Sequence, residues 1–155
     1  WQFVSHMFMH GNTIHIIFNM YALWAFGSPL EQMWGRNKFL FFYFSAGLGA
    51  SLIYTLANYY TASYDSVAVG ASGAVYGILV AFGMKFPNAK LALIFLPIPI
   101  AAKYFIPLIL FGDLFFGFTS YSVGNIAHFA HIGGALIGFI IMMFWRQNQF
   151  TRWDK

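Results

Sequence analysis

The stretch G-A-S-G-A-V-Y-G, residues 70–77, decides how the chain is read. It sets one hydroxyl, Ser72, between Gly70 and Gly73 at the head of a short apolar run, Ser72–Met84. Gly73 and Gly77 are four residues apart, so on a helix they share one face, where a second backbone can come close. A lone serine among small residues is ordinary helix packing, whereas a serine that meets a base is a nucleophile. The rest of the chain must decide between the two.

Working outward, the surroundings are apolar throughout. Of 155 residues, 60% are hydrophobic and 8% charged, and 20 are Phe. Soluble domains carry about 25% charged residues, and no globule of this size could hide so much apolar surface. The class is therefore a polytopic membrane protein. The absence of cysteine excludes disulfides, thiolate nucleophiles and Cys-based metal sites. The net charge of +4 comes from basic residues in short connectors between apolar runs, so no nucleic-acid partner is implied. The chain starts at Trp1 without an initiator Met, as expected of a piece of a longer protein.

Five apolar segments can be drawn, at about Thr13–Ser28, Lys38–Ala57, Ser72–Met84, Tyr104–Thr119 and Ile126–Trp145. Several fall short of the roughly 20 residues of a full span. Helix is the state expected for all five, because backbone amides in lipid must be satisfied within the segment, and none alternates in polarity as a barrel strand would. Asn12 or Thr13 can cap the first segment and Asn125 the fifth. F-L-P-I-P-I-A-A-K, residues 95–103, is expected to be a connector, since Pro97 and Pro99 oppose helix. No internal repeat is visible, so residues 1–155 read as one membrane domain.

Arg36 and Lys38, then Lys85, Lys90 and Lys103, then Arg146, Arg152 and Lys155 all fall on one side if each segment crosses once. By the positive-inside rule that side is cytoplasmic, and the C-terminus lies there. Counting from it, Ser72 lies 13 residues above Lys85, His131 lies 15 above Arg146, and His15 lies 16 above Glu31. At helical rise these are depths of roughly 20, 22 and 24 Å. Three polar side chains on three segments thus share one level, where ionisable groups face a bundle interior or a hydrated cavity. The fifth segment repeats the small-residue spacing with Ala130, Gly134 and Gly138. If that face meets Gly73 and Gly77, His131 comes within reach of the Ser72 hydroxyl, the arrangement a nucleophile and its general base require. Taken singly, each feature has a plainer reading: a glycine pair packs helices, and a membrane histidine can ligate haem or bridge two helices.

Together these residues resemble the rhomboid intramembrane serine proteases over nearly the whole chain. G-A-S-G resembles the family's GxSG motif, A-H-F-A-H-I-G-G-A-L-I-G (127–138) its last-helix motif, and H-I-I-F-N (15–19) its HxxxN. The resemblance implies an all-α, rhomboid-like polytopic helix bundle with five of the usual six transmembrane helices in this chain, the first being absent. It implies Ser72 as nucleophile and His131 as base, with His15, Asn19 and the Ser72 backbone forming the oxyanion hole. Gly70, Gly73, Gly134, Gly138 and His10 are supporting residues. Tyr76 stands where the family packs an aromatic ring on the catalytic histidine, and His6 and His10 lie where its outer loop ends. Many members have Trp-Arg where this chain has Trp1-Gln2.

The activity implied is that of a serine-type endopeptidase cleaving transmembrane protein substrates within the bilayer. Neither metal nor cofactor is implied. The location implied is a bacterial inner membrane, with the site open to the extracytoplasmic side. The acids are Glu31, Asp65, Asp113 and Asp154. Glu31 and Asp154 lie on the cytoplasmic side and Asp65 in an outer loop. Asp113, roughly 15 Å above Lys103 at helical rise, could orient a partner but is expected rather to pack or face water, so a Ser–His dyad is expected. Water reaches it if connector 58–71 dips into the outer leaflet. Phe115, Phe116 and Phe118 are expected gating residues for substrate access. The alternatives are a non-catalytic rhomboid-like protein that binds membrane helices, a haem protein and a small transporter.

Overall fold

The computed structural model describes residues 1–61, 67–93, 96–118 and 127–152. Asp65, Asp154 and the proposed cap Asn125 lie outside the described residues, as do the side chains of Phe116 and Phe118. In chain order the elements are α1 (Gln2–Ser5), a 3-10 turn (His6–Phe8), α2 (Thr13–Ala22), a π-helical turn (Leu23–Gly27) and α3 (Ser28–Trp34). Then come α4 (Arg36–Thr61), α5 (Ser72–Lys85), β1 (Lys90–Leu93), β2 (Leu96–Ala101), α6 (Ala102–Phe118) and α7 (Ala127–Arg152). The fold is an all-α membrane helix bundle carrying one small hairpin.

Each of the five apolar segments is helical over its described residues, and most run further than the sequence suggests. The first continues through the π-helical turn into α3, with Pro29 just after the π-helical residues. Asn12 caps α2, its Oδ1 accepting the His15 backbone N–H at 2.8 Å. Among the described residues, two stretches, Arg36–Thr61 and His128–Asn148, are long and apolar enough to cross a bilayer, whereas α5 has only 14 residues. The connector at 95–103 holds β2, paired antiparallel with β1 through Lys90↔Ala101 and Leu91↔Ile100. In a two-stranded ribbon both strands are edges, and edges are where prolines are admitted.

The core lies among α4, α5 and α7, with Phe42, Ile78 and Met142 buried. Outward-facing Phe111 and Phe144 are 66% and 61% exposed, which is costly in water and costs nothing against lipid tails. The spacing of small residues does bring α5 and α7 together. A Cβ at Gly134 would overlap the Gly73 carbonyl, and one at Gly138 would come within 2.7 Å of the Gly77 Cα. On its other side Gly73 meets Ala50 of α4, and a Cβ there would lie 2.5 Å from that methyl. Overpacked interiors lose about 1–3 kcal/mol, and backbone cannot move aside as a side-chain tip can. Gly134→Val is therefore expected to lower the thermal midpoint in detergent and to part α7 from the head of α5. An unchanged midpoint would show that the two helices are not in this contact.

The N-terminal residues lie over α4 near the head of α5. Met7 is buried against Gly47, where any Cβ would collide with the thioether. The His6 Nε2 lies 3.2 Å from the Ser51 Oγ, and the Gly70 N–H donates to the His6 carbonyl at 2.9 Å. The loop carrying Gly70 is thereby tied to the segment that covers it.

Candidate active site

Ser72 is the first residue of α5, preceded by Ala71, whose side chain offers the helix no cap. Backbone N–H groups in a first turn have no partner within the helix, so the Ser72 N–H is available to a ligand. Gly70 turns the chain into this position at φ 118°, a conformation that side chains rarely adopt. Space demands glycine there as well, since a Cβ would lie 2.7 Å from the His15 Cε1 and 2.8 Å from its Nε2.

The glycine contact between α5 and α7 delivers the pair expected from the sequence. The His131 Nε2 stands 2.9 Å from the Ser72 Oγ. Tyr76, one turn beyond Ser72, stacks on the imidazole with ring centroids 4.3 Å apart and planes within 10°. The ring is thus clamped flat on one side while its edge meets the hydroxyl.

Asp113 departs from the expectation that it would pack or face water. From α6 its Oδ2 lies 3.0 Å from the His131 Nδ1, and its Oδ1 lies 2.7 Å from the Nδ1 of His128. One carboxylate therefore joins two histidines, and the contacts run Ser72–His131–Asp113–His128. Depth counting missed this because it starts every helix at one level. Asp113 stands ten residues from Lys103 and His131 fifteen from Arg146, so their meeting implies that the two basic residues differ in level by five residues, roughly 7 Å. The usable signals were an ionisable residue inside an apolar segment and His128, three residues before His131 and on the same helix face.

His15 and Asn19 lie one turn apart on α2, close to the Gly70 corner rather than bonded to Ser72. The Asn19 Nδ2 donates to the His15 carbonyl at 2.9 Å, which leaves its second amide hydrogen free to donate. The His15 Nδ1 accepts the Gly11 N–H at 3.4 Å. His10 packs edge-on against His15 with centroids 5.3 Å apart, and among the described residues neither of its buried ring nitrogens has a hydrogen-bond partner. A cavity of about 620 Å³ opens over the pair, lined by Ser72, His131, Gly70, Ser51, His6 and Phe3 among others. Its walls mix polar and apolar groups, and it adjoins the exposed N-terminal segment.

The chain is similar to known proteins over most of its length. Residues 1–148 match the family model described as Rhomboid domain. The chain is 32% identical over 152 residues to the presenilin-associated rhomboid-like protein A, mitochondrial, of Danio rerio, covering 92% of this chain and 38% of that protein. It is 34% identical over 140 residues to rhomboid protease GluP of Bacillus subtilis, covering 90% and 25% respectively. It is 28% identical over 155 residues to the putative rhomboid protease YdcA of the same organism, covering 99% and 71%. The chain thus spans little more than a third of the length of the first of these relatives. With the family model matched over nearly all its residues, and with the resemblance read from its motifs thereby upheld, the chain belongs to the rhomboid family.

Proposed function

We propose that the chain is the catalytic core of a serine-type intramembrane protease that cleaves transmembrane protein substrates. The observation that carries the proposal is the 2.9 Å approach of the His131 Nε2 to the Ser72 Oγ, in a bundle built to sit in lipid. Ser72 attacks the scissile carbonyl carbon while His131 takes the hydroxyl proton. The oxyanion that forms is within the province of the Ser72 N–H, the free Asn19 amide hydrogen and the His15 ring, which together border the Gly70 corner. His131 then gives its proton to the leaving amine, and the C–N bond breaks to leave an acyl-Ser72 ester. A water, deprotonated by the same imidazole, hydrolyses that ester and restores the hydroxyl. Asp113 accepts the His131 Nδ1–H and so directs the ring's lone pair at Ser72. This replaces the dyad expected from sequence with a triad.

Substrate helices reach the site from the lipid, and water reaches it through the cavity beneath the N-terminal segment. The site opens on the side away from the basic connectors, the extracytoplasmic side if these mark the cytoplasm. The rhomboid relatives include bacterial and mitochondrial proteins, so the membrane proposed is a bacterial inner membrane or its mitochondrial counterpart.

The test is covalent labelling with a fluorophosphonate, which reacts only with an activated serine. The full-length protein is expected to be labelled, and the Ser72→Ala variant to lose the label completely. Labelling of neither would favour a non-catalytic rhomboid-like protein that only binds membrane helices, and equal labelling of both would place the nucleophile elsewhere.

A further inference from the structure

We infer that Asp113, His128 and His131 form a binding site for a divalent transition-metal ion of the Zn²⁺ class, and that filling it switches off the Ser72–His131 pair. The effect on activity rests on the protease reading above, whereas the binding itself does not. The three ligand atoms lie within 4.8 Å of one another. Two imidazole nitrogens and one carboxylate oxygen are donors that suit Zn²⁺, which takes three protein ligands and leaves a fourth position to water. Tetrahedral bonds of about 2.0–2.1 Å put ligand atoms about 3.4 Å apart. The Asp113 Oδ1 lies 2.7 Å from the His128 Nδ1 and its Oδ2 lies 3.0 Å from the His131 Nδ1, so each nitrogen is already that close to one oxygen of the carboxylate, though not to the same one. The change required is therefore a swing of one ring so that the two nitrogens converge. His128 and His131 are three residues apart on α7, which places both on the face turned to Asp113. Asp113 is 12% exposed and each histidine 20%, so the ligands are sheltered yet reachable by a hydrated ion.

The chemistry of the switch follows from the two ring nitrogens. Without a metal, an ionised carboxylate has no hydrogen to give, so the Nδ1 of each ring carries the hydrogen of their shared contact. A metal needs the Nδ1 lone pair, so that hydrogen is relocated to Nε2 in each ring, with no net proton released. The His131 Nε2 then donates to the Ser72 Oγ and has no lone pair with which to take its proton. Ser72 stays a neutral alcohol, although it remains beside the imidazole. Removing the metal restores the original tautomer, so the inhibition is reversible.

The test uses the full-length protein in detergent, with Co²⁺ as a spectroscopic probe and Zn²⁺ as the competing ion. One Co²⁺ per chain is expected, giving visible absorption that Zn²⁺ abolishes by displacement. Saturating Zn²⁺ is expected to slow fluorophosphonate labelling of Ser72 at least tenfold, and EDTA to restore it. His128→Ala is expected to bind Co²⁺ at least tenfold more weakly and to be labelled at the same rate with and without Zn²⁺. His128→Gln, which keeps a hydrogen-bond donor but no imidazole, should behave likewise and guards against a folding defect in the alanine variant. No Co²⁺ absorption in the wild type, or undiminished Zn²⁺ inhibition in both His128 variants, would overturn the inference. Co²⁺ binding by a wild type that is never labelled would support the metal site while overturning the protease reading.

Discussion

His131→Ala is expected to slow peptide-bond hydrolysis by about four orders of magnitude or more, the scale seen when a base is removed from a serine hydrolase. The size of the effect follows from the geometry of the replacement. A serine hydroxyl is a poor nucleophile until its proton is taken, and the His131 Nε2, the base proposed for Ser72, lies 2.9 Å from its Oγ. His128 cannot take over. Its ring centroid is 6.2 Å from that of His131, and its Nδ1 is engaged by Asp113. His6 lines the same cavity, but its ring lies against Ser51 on α4, with Nε2 3.2 Å from that hydroxyl. Truncation leaves the Gly73–Gly134 contact untouched, so the bundle should keep its thermal midpoint while the chemistry stops. The measurement is single-turnover cleavage of a transmembrane substrate in liposomes, by full-length protein beside the wild type. Cleavage within tenfold of wild type would mean that some other group activates the nucleophile.

The parts of this site that were legible in the sequence are those fixed by helix periodicity. Gly73 and Gly77 on one segment, and Ala130, Gly134 and Gly138 on another, share faces because residues four apart lie above one another. Close approach of those faces leaves Ser72 and His131 nowhere to be but together. Tyr76 was legible for the same reason. Asp113 was not, because its place depends on how α6 is set against α7, and no repeat in the sequence fixes that level. The hairpin of β1 and β2 was legible only as a refusal of helix by Pro97 and Pro99. Strand pairing is a contact between two stretches, and neither one announces its partner. The first span, drawn in the sequence to about Ser28, continues through the π-helical turn into α3, in whose first turn Pro29 stands.

Asp113→Asn is expected to lower kcat by about 10² to 10⁴-fold, with KM little changed, since such a substitution in a serine triad leaves geometry intact but selects the wrong tautomer. The carboxylate serves two rings at once, Oδ2 to His131 and Oδ1 to His128, and accepts a hydrogen from each. An amide has one acceptor and one donor end, so it can satisfy only one of the two rings in the original way. The ring that meets the NH₂ must present a bare Nδ1 and therefore carry its hydrogen on Nε2. When that ring is His131, Nε2 can no longer take the Ser72 proton, and the barrier rises by about 2.7–5.4 kcal/mol at 1.36 kcal/mol per decade. When the amide turns over, His128 takes the NH₂ and His131 keeps its working tautomer. The surviving rate therefore reports the balance between two orientations of one side chain. Removing His128 from the Asp113→Asn background frees the amide to turn its oxygen to His131. That double variant is expected to recover part of the lost kcat, a rescue that a merely structural role for Asp113 would not produce. Substrate binding should be unaffected, because Asp113 touches the imidazole and not the cavity where the peptide would lie. An Asp113→Asn enzyme with undiminished kcat would show that the His131 lone pair is aimed by Tyr76 and Ser72 alone.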